Sequence, residues 1–312
     1  MNLELHHKRV FITGGSKGIG LACAEAFLRE GAQVAIASRR ADNLAAAQAT
    51  LGPAGSPPVT VQADLADAAQ AARAVQQAQA ALGGIDILVT CAGAARRTPP
   101  DELTPQHWRD AMEAKYFSYL NVIDPVIKLM AAQGHGAIVN VIGAGGKVAS
   151  PTHLPGGAAN AALMLVTAGL AHAYGPRGVR VNAINPSATH TERLQQGLEA
   201  EARLSGDTME ETLARASQRA PLGRIAQPQE VASAVLFLAS AGQLHLGRHP
   251  DHGRRGHAHR GLRHTALPCR HAPTNSRPRC SCSPTLKAAG TARCSAHPPR
   301  FRQPTAAASA AR

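Results

Sequence analysis

Eight residues, Thr13-Gly14-Gly15-Ser16-Lys17-Gly18-Ile19-Gly20, combine small residues, hydroxyls and a cation in a spacing suited to holding a phosphate. Gly14 permits a tight turn, Gly18 lets backbone approach a pyrophosphate, and Gly20 lets a following helix pack close to a sheet. Free N–H groups at the start of that helix would then face the phosphates. Further on, Ser38-Arg39-Arg40 ends a short apolar run. A carboxylate at such a position would bond a ribose 2′-hydroxyl, and none is present. Lys17 and Arg39 would instead flank a 2′-phosphate, so the expected cofactor is NADP, with NADPH preferred over NADH. The competing readings are a glycine turn that binds nothing and a pair of solvated arginines.

That chemistry needs a strand before the loop and a helix after it. Val10-Phe11-Ile12 supplies the first and the Ala-rich pattern over 21–28 the second. Apolar runs over 33–37, 59–62, 85–89, 136–142 and 179–184 read as further strands. Residues 41–51, 64–82, 104–133, 158–174, 192–220 and 231–240 read as helices, with Asp64 and Thr104 as starting caps and Pro105 at a first helical position. Strands alternating with helices imply an α/β, doubly wound parallel sheet, a Rossmann fold, over residues 1–240.

The order Gly-x-x-x-Gly-x-Gly, with Ala92-Gly93, Asn185-Pro186-Ser187-Ala188-Thr189-His190-Thr191, Pro221-Leu222-Gly223-Arg224 and Phe237-Leu238-Ala239-Ser240, resembles the short-chain dehydrogenase/reductase family. The resemblance spans residues 6–240. It implies hydride transfer between a nicotinamide cofactor and a small carbonyl or alcohol. It implies that Asp64, with Leu65 beside it, bonds the adenine amino group, although Asp64 reads equally as a plain helix cap. It places Ala92, Gly93 and Pro186 along the cofactor, gives Thr191 to the nicotinamide carboxamide, and makes 192–220 a mobile substrate lid. Cys91 stands where the family has Asn, and Ser187 where it has Gly.

The same resemblance implies a proton relay of Asn, Ser, Tyr and Lys, in which the Lys lowers the Tyr pKa. Aligned by flanking sequence, those four positions are Lys115, Gly143, Gly156 and Asn160. No Tyr occurs between Tyr119 and Tyr174, so no small shift restores the pair. The groups left to act are Lys115, Lys147, His153 and Asn160. His153 titrates in a useful range, and Asn160 has donors for a ribose hydroxyl. A loop histidine and a surface lysine are the alternatives. Weak or no turnover of simple ketones is expected despite cofactor binding. No metal ligands are expected.

Charge is unevenly placed. Residues 241–312 hold 13 of the 33 Lys and Arg and one acid, Asp251, so nearly all of the net +13 lies there. Gly, His, Arg, Pro and Cys dominate this tail, with no apolar periodicity, which reads as a disordered basic tail. It also reads as translation in the wrong frame. Codons for Gly242 through Arg260 can be chosen among synonyms so that reading one base later gives Ala-Ser-Tyr-Ile-Ser-Gly-Ala-Ile-Leu-Thr-Met-Asp-Gly-Ala-Ala-Thr-Pro-Thr, which resembles the family's final strand and Asp-Gly. Without that strand, β-sheet edge and homo-oligomer contacts would suffer.

Residues 1–8 are polar, the apolar runs are too short to span a bilayer, and the expected location is cytoplasmic. A nucleic-acid partner is not expected, because the tail has only Phe301 as an aromatic and no recognised motif. Three functions follow in order: an oxidoreductase with unusual catalytic groups, a cofactor-binding sensor or scaffold, and a tail that binds an anionic partner.

Overall fold

A computed structural model describes residues 2–93 and 95–240. Six strands, β1 (Arg9–Thr13), β2 (Gln33–Ser38), β3 (Val59–Gln62), β4 (Ile87–Thr90), β5 (Gly136–Val141) and β6 (Val179–Ile184), form one sheet in the order β3-β2-β1-β4-β5-β6. Every neighbouring pair is parallel. The strands are continuously apolar because helices cover both faces. Alternation along β1 sends Val10 and Ile12 to one core and Phe11 to the other. The first core is closed by α1 (Gly18–Arg29) and α9 (Pro228–Ala239). The second is closed by α3 (Ala68–Leu82), α5 (Ser118–Gln133) and α6 (Leu154–Tyr174). The remaining helices are α2 (Ala41–Leu51), α4 (Pro105–Ala111), α7 (Glu192–Ser205) and α8 (Met209–Gln218).

Strand order reverses direction between β1 and β4, and that switch point opens a crevice at the strands' C-terminal ends. The glycine loop, Ala92 and Gly93 all lie there, as the fold reading requires.

Several element boundaries differ from expectation. Helix α3 begins at Ala68, because Asp67 is its cap and accepts from the Gln70 N–H at 2.9 Å. Asp64 is therefore not the helix cap; its carboxylate accepts from the Ala66 N–H at 3.1 Å. The segment 104–133 is not one regular helix, since a π-helical turn, Met112–Phe117, separates α4 from α5. Such turns often mark functional sites, and this one carries Lys115. Segment 192–220 breaks at Gly206, in a left-handed conformation, into α7 and α8. Bilayer length was also misjudged: Pro151–Arg177 is long and apolar enough to cross a membrane, at mean hydropathy 1.4, with a third of that stretch buried. Here α6 packs its Ala159 and Leu163 side against the protein interior.

Among the described residues the sheet ends at β6. Its Arg180 guanidinium donates to the carbonyls of Leu238, Ala239 and Ser240 at 2.8, 2.9 and 3.0 Å, binding the last turn of α9 to the sheet edge. A cation is favoured at that end of a helix dipole. Arg180→Met is expected to destabilise the domain by roughly 1.5–3 kcal/mol, the worth of charge-assisted bonds, measurable by urea titration. The expectations for residues 241–312, a disordered basic tail read out of frame and lacking a seventh strand, fall outside the described residues.

Candidate active site

The glycine loop joins β1 to α1. Thr13 Oγ1 accepts from the N–H groups of Cys91 and Ala92 at 3.2 and 3.3 Å, so the ends of β1 and β4 are locked together and Ala92 and Gly93 are aimed along the crevice. Ser16 Oγ donates to Ser38 Oγ at 2.9 Å, which ties the loop to the end of β2. A Cβ on Gly20 would collide with the Gly14 carbonyl oxygen, so only glycine lets α1 begin this close to the loop. Lys17 occupies the cap position of α1 without a side-chain cap bond, and the first turn, which includes Ile19, holds no acid. The opening N–H groups of α1 are thus available to an anion.

The other expected cofactor residues surround this loop. Arg39 is exposed and has no side-chain bond among the described residues, whereas Arg40 lies 3.6 Å from Asp42. Leu65 is buried, and its carbonyl accepts from Asn121 Nδ2 at 3.0 Å, which holds the Asp64 turn. Thr191 lies on the facing side, its Cγ2 3.1 Å from where a Cβ on Gly18 would stand. Ser187 does not adopt a positive φ, so the replacement of Gly is accommodated. The Pro186 carbonyl accepts from the Ala144 N–H at 2.8 Å. Lys17 does not stand free beside Arg39: its ammonium binds Glu192 at 3.0 Å, across the loop. Both partners are exposed, and such pairs contribute little.

These residues fit a dinucleotide with a 2′-phosphate. Among the described residues the helix N-terminus is open, Arg39 after β2 meets no carboxylate, and Asn185 Oδ1 is a buried acceptor with no partner.

At the far end of the crevice, Lys115, His153 and Asn160 meet in one small cleft, which Gly156 and Arg193 also line. The three catalytic candidates thus converge although they come from three separate elements. Lys115 is buried, 8% exposed. Its Nζ donates to Tyr119 Oη at 2.8 Å and to the Val141 carbonyl at 3.2 Å, and lies 4.4 Å from the Tyr119 ring centroid. Burial, then the charge of Arg193, pushes its pKa down to about 7. It is not a surface lysine.

His153 is not a free loop residue either. It lies in a 3-10 turn, Pro151–His153, and its imidazole fills the space beside Gly156. A Cβ on Gly156 would collide with that ring. Burial first, then the charges of Arg97, Arg193 and Lys115, lowers its pKa to about 4, so the ring is neutral at pH 7. Its Nδ1 is buried without a partner. Gly143, at φ +126°, holds a conformation that a serine would rarely adopt, and a Cβ there would stand 3.2 Å from Asn160 Nδ2. Lys147 is exposed and does not line the cleft.

Sequence reasoning missed Tyr119, Asn121, Asn185 and Arg193. Tyr119 had a legible signal, four residues after Lys115 on one helical face. Arg193 had one too, as a cation two residues past Thr191. Asn121 and Asn185 are polar residues whose partners only the fold supplies.

A parallel sheet with a glycine loop at its switch point defines a dinucleotide-binding Rossmann domain. A family model described as enoyl-(acyl carrier protein) reductase matches residues 14–244. D-threitol dehydrogenase of Mycolicibacterium smegmatis is 35% identical over 239 residues, covering 77% of this chain and 88% of that protein. L-sorbose reductase from Gluconobacter frateurii, solved with NADPH and L-sorbose, superposes with TM-score 0.72 at 28% identity over 78% of this chain and 94% of that one. An actinorhodin polyketide ketoreductase variant solved with NADPH gives TM-score 0.73 at 28% identity over 76% and 92%. The chain belongs to the short-chain dehydrogenase/reductase family.

Proposed function

We propose that this protein is an NADP-dependent oxidoreductase that interconverts a small carbonyl compound and its alcohol, using Lys115 in place of the family's tyrosine. The carrying observation is the convergence of Lys115, His153 and Asn160 on one cleft at the end of a crevice that begins at the glycine loop. The NADPH seen in related structures supports the choice of cofactor.

NADPH, when bound, supplies a hydride to the carbonyl carbon. The chain supplies the proton. An acid whose pKa lies near the working pH is the most effective donor, and Lys115, at about 7, meets that condition. In reduction its ammonium protonates the nascent alkoxide oxygen and is left as a neutral amine, which burial tolerates; in oxidation the amine takes the alcohol proton. Tyr119 and the Val141 carbonyl fix the direction of Nζ. Asn160 offers its amide to a ribose hydroxyl. His153, neutral at pH 7, shapes the cleft and offers a ring N–H rather than a cationic acid.

Glycine at 143 and 156 favours a second reading, a protein that binds NADP with impaired turnover. A screen of NADPH consumption over ketones and aldehydes, beside an NADPH binding titration, separates the two. Arg39→Asp is expected to weaken NADPH binding about tenfold or more, the worth of one charge-assisted bond, while sparing NADH. Equal affinities of the parent for both cofactors would remove the 2′-phosphate assignment.

The proposal also takes the chain as an atypical family member whose residues 241–312 are translated out of frame. The codon argument and the concentration of charge in that segment support it. Sequencing the gene across codons 238–245 is expected to reveal an indel. An intact frame, with a tail that gains protease resistance on binding an anionic partner, would overturn it.

A further inference from the structure

Two basic side chains, Lys115 and Arg193, line the cleft beside the neutral ring of His153. Arg193, an exposed residue in the first turn of α7, lines it from that side. Among the described residues its guanidinium donates only to the carbonyls of Gly93 and Ala95, at 3.5 and 3.4 Å. These are longer than the roughly 2.7–2.9 Å of a bond to a carboxylate. Arg193 forms no ion pair among the described residues, and no Asp or Glu lines the cleft. The neighbouring acids are engaged elsewhere: Glu192 on Lys17 at 3.0 Å, Glu201 on Arg97 at 3.5 Å and Arg219 at 3.6 Å. His153 Nδ1 is buried and has no partner among the described residues. Arg97 stands behind His153, its Nη1 3.5 Å from Thr152 Oγ1.

A guanidinium and an ammonium that share a cleft without a counter-charge disfavour each other. A bound anion would offset that repulsion, and a planar fork such as Arg193 suits a carboxylate. We infer that the substrate of this cleft is an oxo acid or its hydroxy acid, with the carboxylate held by Arg193 and the reacting carbonyl presented to Lys115. This deepens the oxidoreductase reading and rests on it. In reduction, the carbonyl carbon gains a hydride from NADPH and the oxygen gains a proton from Lys115; NADP and the hydroxy acid leave, and the carboxylate is unchanged.

The test uses a matched pair, 2-oxobutanoate and the uncharged 2-oxobutanamide, titrated calorimetrically into the full chain without NADPH, beside a separate titration of NADPH alone. The acid is expected to bind at least about tenfold tighter, as one charge-assisted bond would give. Arg193→Gln is expected to erase the preference, and Arg193→Lys, which keeps the charge but not the fork, to retain part of it. A thermal melt of each variant verifies folding. Equal affinity for acid and amide, or an undiminished preference in both variants, overturns the inference. Failure of NADPH to bind in its own titration would sink the oxidoreductase reading separately, because the acid-to-amide comparison without NADPH still stands.

Discussion

Lys115→Met is expected to make the protein more stable at pH 6 while lowering carbonyl reduction about 10²–10⁴-fold, the usual worth of a general acid. The stability gain follows from linkage. The unfolded lysine holds its proton up to a pKa of 10.5, whereas the folded one releases it at about 7. Between those values the unfolded state binds more protons, so parent stability rises with pH across this window. Below pH 7 the full cost of the buried charge applies, roughly 5 kcal/mol for the fall from 10.5 to about 7. Losing the bonds to Tyr119 and Val141 offsets about 1–3 kcal/mol of that gain. Urea titrations of both proteins at pH 6 and pH 10 read the difference. The advantage should be a few kcal/mol at pH 6 and vanish toward pH 10. A variant that is less stable at pH 6, or whose advantage ignores pH, would remove Lys115 from the account as a buried, titrating acid.

The second expected result concerns the missing tyrosine. Gly156→Tyr alone should cost stability by about 1–3 kcal/mol or more, the range for overpacking, because its Cβ meets the His153 ring. Adding His153→Ala should relieve that cost, and adding Asn160→Lys should rebuild a tyrosine with a cation four residues later. Placed in a Lys115→Met background, which lacks the resident acid, this triple change is expected to raise NADPH-dependent reduction by about 10²–10⁴-fold, the span of general acid catalysis. Gly143 is left alone, since its φ of +126° would strain a serine. Thermal melts and steady-state rates check both halves. A Gly156→Tyr protein as stable as the parent would mean that His153 does not fill the tyrosine's place. A folded triple variant with no gain in rate would mean that this cleft is not where reduction occurs.

Much of this was legible in the sequence for a physical reason. Strands buried on both faces must be continuously apolar, and a phosphate loop must be glycine-rich, so β1, the loop and α1 announce themselves together. Lys115 and Asn160 are legible from the sequence that flanks them. What sequence could not supply was environment. Whether Lys115 faced solvent or the interior depended on a π-helical turn, which local propensity does not signal. His153 was a residue in a short turn until α6 brought Gly156 beneath its ring. Asp64 looked like a helix cap because Asp67, three residues on, competed for that role and won it with the Gln70 N–H. Arg193 sits in a charged, Ala-rich segment, where one arginine among several gives no sign of which will line the cleft.

The most direct test of the central claim is the pH dependence of single-turnover NADPH oxidation with a saturating carbonyl substrate. Reduction needs Lys115 protonated, so the rate should be high below neutrality and fall as pH rises through about 7. Alcohol oxidation should show the opposite limb, and both limbs should be absent from Lys115→Met. A reduction rate that is flat from pH 6 to pH 9, or a falling limb that persists in Lys115→Met, would contradict the assignment of Lys115 as the proton donor.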